Sequence, residues 1–279
     1  MPEVRVIIPS DLERALEALV KAGFAGNKAE LARTAITHFL STVPTQLQKG
    51  YDLETAFSPD GRIFQLEYAV ESMKRGGSIV GVRCQEGVVL AKELPKKEAE
   101  LLVLPNPFAQ AFRIGENIGA VYCGILSDGF FIVEEARKQV ELLKKEGSVD
   151  IETLAKRLTL FMQPFAQKKD VRPFAVALII GGLDSNHEPR LFLLNSAGLA
   201  HEYKACNVGI GGEESKRILK EGYKPELGLD EAMMLTIKAA LREKKNPEDV
   251  LVAVVDAKTG KFRNVTTEEK ERLWDKIFP

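Results

Sequence analysis

Two apolar, β-rich runs, Ser78–Cys84 and Gly87–Lys92, are separated only by Gln85-Glu86. A two-residue connection can join only antiparallel neighbours, because parallel strands need a crossover of a dozen residues or more. Later segments keep the same rhythm. Ile118–Ile125 reads as a strand, followed by a helix from about Asp128 to Lys145. Asp150 is placed to cap a further helix carrying Ile151, Leu154, Leu158 and Met162, which Pro164 is expected to stop. Ala175–Gly181, Arg190–Leu194, Ala200–Val208 and Val250–Asp256 read as strands, with a helix from about Asp230 to Arg242 between the last two. Ala257-Lys258-Thr259-Gly260 turns the chain into a final strand, Lys261–Val265. Strands in hairpin blocks with helices between them predict an α+β fold of antiparallel sheets covered by helices.

Ahead of this body lies a smaller unit. Residues 45–50 form a polar linker ending in Gly50, just after Pro44. Glu3–Ile8 is a short β-branched run that predicts one strand. Ser10 is the expected N-cap of a helix with Leu12, Leu16, Leu19 and Val20 at helical spacing, and Asn27 the expected cap of a second helix with Leu31, Ala35, Ile36, Phe39 and Leu40. A lone strand leaves its backbone groups unpaired, and 44 residues bury little, so this unit is expected to need a partner chain. In the body, Ser58-Pro59-Asp60-Gly61 has the pattern of a type I turn, and Ile63, Leu66, Val70 and Met73 then fall on one helical face.

Composition removes several functional classes. The 39 basic and 40 acidic residues nearly cancel, which argues against a basic nucleic-acid-coating protein. Cys84, Cys123 and Cys206 are too few and too scattered for a disulfide framework or a zinc site, and read as buried small side chains. His38, His187 and His201 have no metal-binding spacing, so neither metal nor cofactor is expected. Gly209-Ile210-Gly211-Gly212 lacks the Lys-Ser/Thr of a phosphate loop. The apolar runs are far shorter than the ~20 residues of a membrane span. Charges run throughout residues 1–30, so no signal peptide is expected and the cytoplasm is the expected compartment.

Longer motifs point to a family. Tyr51-Asp52, the block from Phe57 to Ala69 (FSPDGRIFQLEYA) and Lys74-Arg75-Gly76 come first. They are followed by Val171-Arg172-Pro173-Phe174, Pro189-Arg190-Leu191-Phe192 and Glu202-Tyr203-Lys204-Ala205. In this order, over residues 51–279, they resemble a proteasome α subunit. The resemblance implies the four-layer αββα sandwich of the N-terminal-nucleophile hydrolases, with the helix at 62–75 lying across its top. Residues 1–44 resemble the ribbon-helix-helix module of small dimeric repressors, an addition to the ordinary α subunit.

Each resemblance carries its own expectations. A catalytic β subunit uses an N-terminal threonine, a carboxylate and a lysine; the matching positions here are Gly77, Glu93 and Gln110, so no catalytic residue is expected. The resemblance assigns Tyr51, Asp52, Pro59 and Tyr68 to a gate cluster. It assigns Glu67, Gln110 and Gly124 to an inter-subunit pocket for the carboxylate tail of an ATPase activator. Gln110 stands where that pocket has a lysine, so Glu67 is expected to lack its cation and docking to be weak or altered. The expected partners are copies of the same chain, in a seven-membered ring or a double ring of 14, and proteasome β subunits. In the small module Glu3, Arg5 and Ile7 form the outward ribbon face. Its five basic residues (Arg5, Arg14, Lys21, Lys28, Arg33) balance five acids (Glu3, Asp11, Glu13, Glu17, Glu30). That balance favours protein assembly over a second reading as a DNA-binding transcriptional regulator.

Overall fold

The valine-rich hairpin pairs as its short connection dictates, from Ile79↔Lys92 to Cys84↔Gly87. The computed structural model describes residues 8–42, 57, 58, 60–94, 111–168 and 170–278. The chain divides into two compact units, Met1–Leu53 and Glu54–Pro279.

In the first unit two helices are described, α1 (Ser10–Lys21) and α2 (Lys28–Thr42). Pro9, not Ser10, occupies the N-cap of α1; Ser10 is the first helical residue and its side chain caps nothing. Asn27 does cap α2, its Oδ1 accepting from the Glu30 amide at 2.8 Å. Lys28 ties the helices together by donating to Glu13 (2.9 Å) and Glu17 (2.8 Å). Yet α1 buries none of its residues, and Leu12, Leu19 and Ile36 stand exposed. The expected strand at Glu3–Ile8, with Glu3, Arg5 and Ile7, lies outside the described residues apart from Ile8.

The second unit runs α3 (Phe64–Lys74), β1 (Ile79–Cys84), β2 (Gly87–Glu93), β3 (Phe112–Arg113), β4 (Ile118–Gly124), α4 (Leu126–Glu146) and α5 (Ile151–Gln167). It continues with β5 (Val176–Leu183), β6 (Pro189–Leu194), β7 (Ala200–Glu202), β8 (Ala205–Val208), α6 (Gly212–Gly222) and α7 (Leu229–Leu241). β9 (Val250–Asp256), β10 (Lys261–Asn264) and α8 (Thr267–Ile277) complete it. Among the described residues the strands form two five-stranded sheets, β10-β9-β2-β1-β8 and β3-β4-β5-β6-β7, whose neighbours all run antiparallel.

Alternation within the strands builds the layers. Val89 and Ala91 of β2 pack with residues of α6, α7 and α8, whereas Val88 and Leu90 point the other way and meet Val121, Ala177, Ile179 and Leu191 of the second sheet. The far face of that sheet, through Ala120, Tyr122, Leu178 and Ile180, packs on α4 and α5. Each sheet is thus covered on both faces, which explains why β5 is buried at all eight positions. All three cysteines are buried and unpaired in these layers.

In this second unit three expectations need correction. Ala200–Val208 is not one strand. The Tyr203 amide donates to Leu191 in one sheet, while the Lys204 carbonyl accepts from Arg83 in the other, both at 2.9 Å. The chain changes sheets between these two residues. Pro164 does not stop α5, because its carbonyl still accepts from the Lys168 amide at 2.9 Å; only the bond that its own missing N–H would make is lost. On α3 the buried face is Phe64, Ala69 and Met73, with Val70 exposed.

Candidate functional site

At Gly76 and Gly77, next to α3, the backbone is packed too closely to admit a side chain. Met73 of α3 joins the inter-sheet core with Ile79, Val88 and Val121, and accepts from the buried Ser196 hydroxyl at 3.2 Å. Beyond α3, a Cβ on Gly76 would stand 2.7 Å from the Gly124 nitrogen, and one on Gly77 would stand 2.8 Å from the Glu93 carbonyl oxygen. Neither position admits a side chain without movement. Residue 77, matched by the resemblance to the threonine position, is a glycine and carries no side chain.

Glu93, at the expected carboxylate position, has a structural task. It accepts from Arg242 Nη2 at 2.7 Å and Lys245 Nζ at 2.6 Å. Burial pushes its pKa up, but the two cations outweigh burial and hold it below the usual carboxylate range.

On the exposed rim, the Gly61 amide donates to the Ser58 carbonyl at 2.8 Å, closing the expected turn. The turn delivers Arg62 to the start of α3. Its Nε donates to Glu67 Oε1 at 2.8 Å and its Nη2 to Oε2 at 2.5 Å, a two-pronged pair. The guanidinium lies 4.8 Å from the centre of the Phe64 ring. The expectation that Glu67 lacks a cation is therefore wrong: Arg62 is its partner and holds its carboxyl below the usual range. Sequence reasoning passes over Arg62 because it lies before the helix, outside the i,i+3 and i,i+4 spacings that flag helical pairs. Tyr68 is half exposed on the same helix. Gly124, with φ +112, closes β4; a Cβ there would stand 2.1 Å from the Ala175 oxygen. Glu67 and Tyr68 thus share α3, while Gly124 lies at the strand end behind Gly76. Tyr51, Asp52, Pro59 and Gln110 lie outside the described residues.

Two charged arrangements have no counterpart in the sequence patterns. Lys92 is buried, with its ammonium 4.4 Å from the centre of the Tyr122 ring. Tyr122 stacks on Phe112 (5.5 Å between centroids), and Arg137 lies 5.9 Å from the centre of Phe112. Burial lowers the Lys92 pKa and pushes Tyr122 up to about 12. Separately, Asp128 in the first turn of α4 is gripped by Arg172. Among the described residues no group of His, Cys, Asp and Glu could hold a metal ion. No described helix is long and apolar enough to cross a membrane.

Comparison with known proteins agrees with this geometry. Residues 73–255 match the proteasome subunit family, and residues 51–71 match the N-terminal signature of proteasome subunits of the A type. The chain is 38% identical over 227 residues to the proteasome alpha subunit of Thermococcus sibiricus, covering 80% of this chain and 86% of that one. It is 34% identical over 236 residues to the protein of the same name from Sulfolobus acidocaldarius, covering 82% and 97%. For Pyrococcus horikoshii the identity is 36% over 236 residues, covering 83% and 89%.

Proposed function

The chain belongs to the proteasome α-subunit family, and on that premise we propose that it is a non-catalytic subunit forming a ring that scaffolds or gates a proteolytic compartment in the cytoplasm. The observation that carries this reading lies at the end of the inter-sheet space: Met73 of α3 joins the inter-sheet core, and a Cβ on Gly77 would stand 2.8 Å from the Glu93 carbonyl oxygen. The fold reads as the N-terminal-nucleophile sandwich with its chemistry removed. The outer face of α4 and α5 is suited to contact with another ring, since Leu126, Phe131 and Leu160 are exposed there. The gate would be formed by Tyr51, Asp52, Pro59 and Tyr68, and the activator pocket by Glu67, Gln110 and Gly124.

The N-terminal module is read as a ribbon-helix-helix pair-former. Its exposed stripe at Leu12, Leu19 and Ile36 would be covered by a second copy. Seven modules cannot all pair within one ring, but two rings meeting at their N-terminal faces would give seven two-fold contacts in a closed assembly of 14. The neutral charge of residues 1–44 works against the DNA-binding alternative.

Co-purification tests the main reading. A ring-sized particle carrying a β-type threonine protease is expected, and a monodisperse monomer would refute it. For the module, mass measurement of full-length protein against the Leu12→Glu/Leu19→Glu double variant is decisive. The variant should halve the particle, whereas a single ring in both rejects the face-to-face arrangement.

A further inference from the structure

We propose that Lys92 is a covalent acceptor site for small aliphatic aldehydes, its ε-amine condensing with the carbonyl carbon to give an imine.

Lys92 follows Leu90 by two positions on β2 and pairs with Ile79 of β1, and both of those residues belong to the inter-sheet core. Alternation along the strand therefore sends the lysine stem into that apolar space. Its other ladder neighbour, Leu251 of β9, is apolar too. The residue is 6% exposed, and its ammonium lies 4.4 Å from the centre of the Tyr122 ring. No carboxylate or carbonyl among the described residues accepts a hydrogen bond from it. Glu93, the adjacent acid, is occupied by Arg242 and Lys245. The titratable groups that face Lys92 are Tyr122 and Cys123 of β4, both pushed up to about 12 by burial and so neutral at pH 7.

A buried lysine without a counter-charge loses its proton more easily, and the neutral amine is the nucleophile. Burial holds the Lys92 pKa below the ordinary lysine value, with the Cys123 thiol offsetting part of the effect. The amine is also within reach. Ser78 Oγ is the sole side-chain nitrogen or oxygen among the described residues that is both sealed from solvent and without a partner. Lys92 Nζ has no partner either, so it is not sealed, and a narrow opening leads to it.

The surroundings select the electrophile. In the condensation the nitrogen lone pair attacks the carbonyl carbon, the C=O bond gives way to C=N, and the oxygen leaves as water with the two protons of the amine. No oxidant or reductant takes part. The protonated imine keeps a positive charge over the face of Tyr122, which favours cations. An acyl donor would neutralise the nitrogen, and carbon dioxide would leave a carbamate anion against that face. An aldehyde is the carbonyl that fits, and the narrow opening limits its size.

Reductive trapping on the full-length protein tests this, with formaldehyde as the probe, cyanoborohydride as hydride donor and peptide mapping by mass spectrometry. At pH 7 Lys92 is expected to be methylated about tenfold faster than Lys138, whose side chain is 69% exposed. The ratio should fall as pH rises to 10, because Lys138 then loses its proton as well, and should vanish in denaturing urea. Benzaldehyde, too bulky for the opening, should label Lys138 and spare Lys92. Slower reaction at Lys92 than at Lys138 at pH 7, or a ratio that stays flat with pH, overturns the proposal. Labelling of Lys92 by benzaldehyde overturns the restriction to small aldehydes.

Discussion

Arg172 and Asp128 form a two-pronged ion pair across 44 residues of sequence, Nη1 donating to Oδ2 at 2.6 Å and Nη2 to Oδ1 at 2.7 Å. The Ala175 amide donates to the same carboxylate at 2.8 Å. The first turn of α4 is thereby locked to the segment that enters β5, at the end of β4 where Gly124 lies.

Asp128→Asn should destabilise the second unit by about 2 kcal/mol, the cost of breaking charge-assisted bonds to a buried acceptor. Arg172→Gln should cost less, because Arg172 is half exposed. Burial raises the Asp128 pKa, but Arg172 and the Ala175 amide outweigh it, so the folded value is lowered. The stabilisation is then present above the unfolded value of about 3.9 and lost as pH falls through the folded value. Urea titrations between pH 3 and 7 should show a flatter profile in Asp128→Asn. An unchanged profile would show that the pair contributes nothing.

Lys92→Met should raise stability at pH 7 by about 1–3 kcal/mol, since it removes a buried ammonium and leaves an apolar chain of similar length. The lost contact with the Tyr122 ring offsets part of the gain. The folded pKa of Lys92 is depressed by burial. Its penalty is therefore complete below the folded value and fades as pH rises toward about 10.4, the unfolded value. The gain from Lys92→Met should shrink accordingly between pH 7 and pH 10. A loss of stability at pH 7 would contradict this account.

Gly77→Thr should not create a peptidase. The nitrogen remains an amide, and the new Cβ would press on the Glu93 carbonyl. Hydrolysis of a fluorogenic peptide should stay at background, with a stability loss of about 1–3 kcal/mol from overpacking. Measurable turnover would show that position 77 admits a working nucleophile.

Gly124→Ala should be worse, at roughly 3 kcal/mol or more. The residue has φ +112, and its Cβ would fall on the Ala175 oxygen. A thermal melt within a few degrees of wild type would mean that the strand end relaxes freely.

Much of the body is legible because its signals are local. The Gln85-Glu86 connection fixes β1 against β2, and Val250–Asp256 reads from the sequence with the bounds it has in the structure. Choice of strand partner is not legible. Residues 200–208 read as one uninterrupted segment without Gly or Pro, and nothing in them tells Leu191 from Arg83 as the neighbour. α8 carries a readable mark: Thr266 accepts from the Glu269 amide at 3.3 Å, and Glu269 from the Thr266 amide at 2.9 Å, the capping box of a T-x-x-E start. The rim is half legible. The resemblance marks Glu67, but its pairing with Arg62 depends on how the turn before α3 aims a guanidinium.

The sheet that contains β1 and β2 has a consequence for the order in which the protein becomes itself. Its first two strands emerge early in synthesis, but their neighbours β8, β9 and β10 come from the last third of the chain. The ion pairs that seat Glu93 span 149 and 152 residues. Until about residue 256 has left the ribosome β2 has an open edge, and until α7 (Leu229–Leu241) follows the hairpin's valines lack its cover. Long-range pairing of this kind is slow and leaves apolar surface exposed meanwhile. The short helices α1 and α2 need no such wait. A nascent chain could thus present its N-terminal unit to a sister chain before its own body is finished.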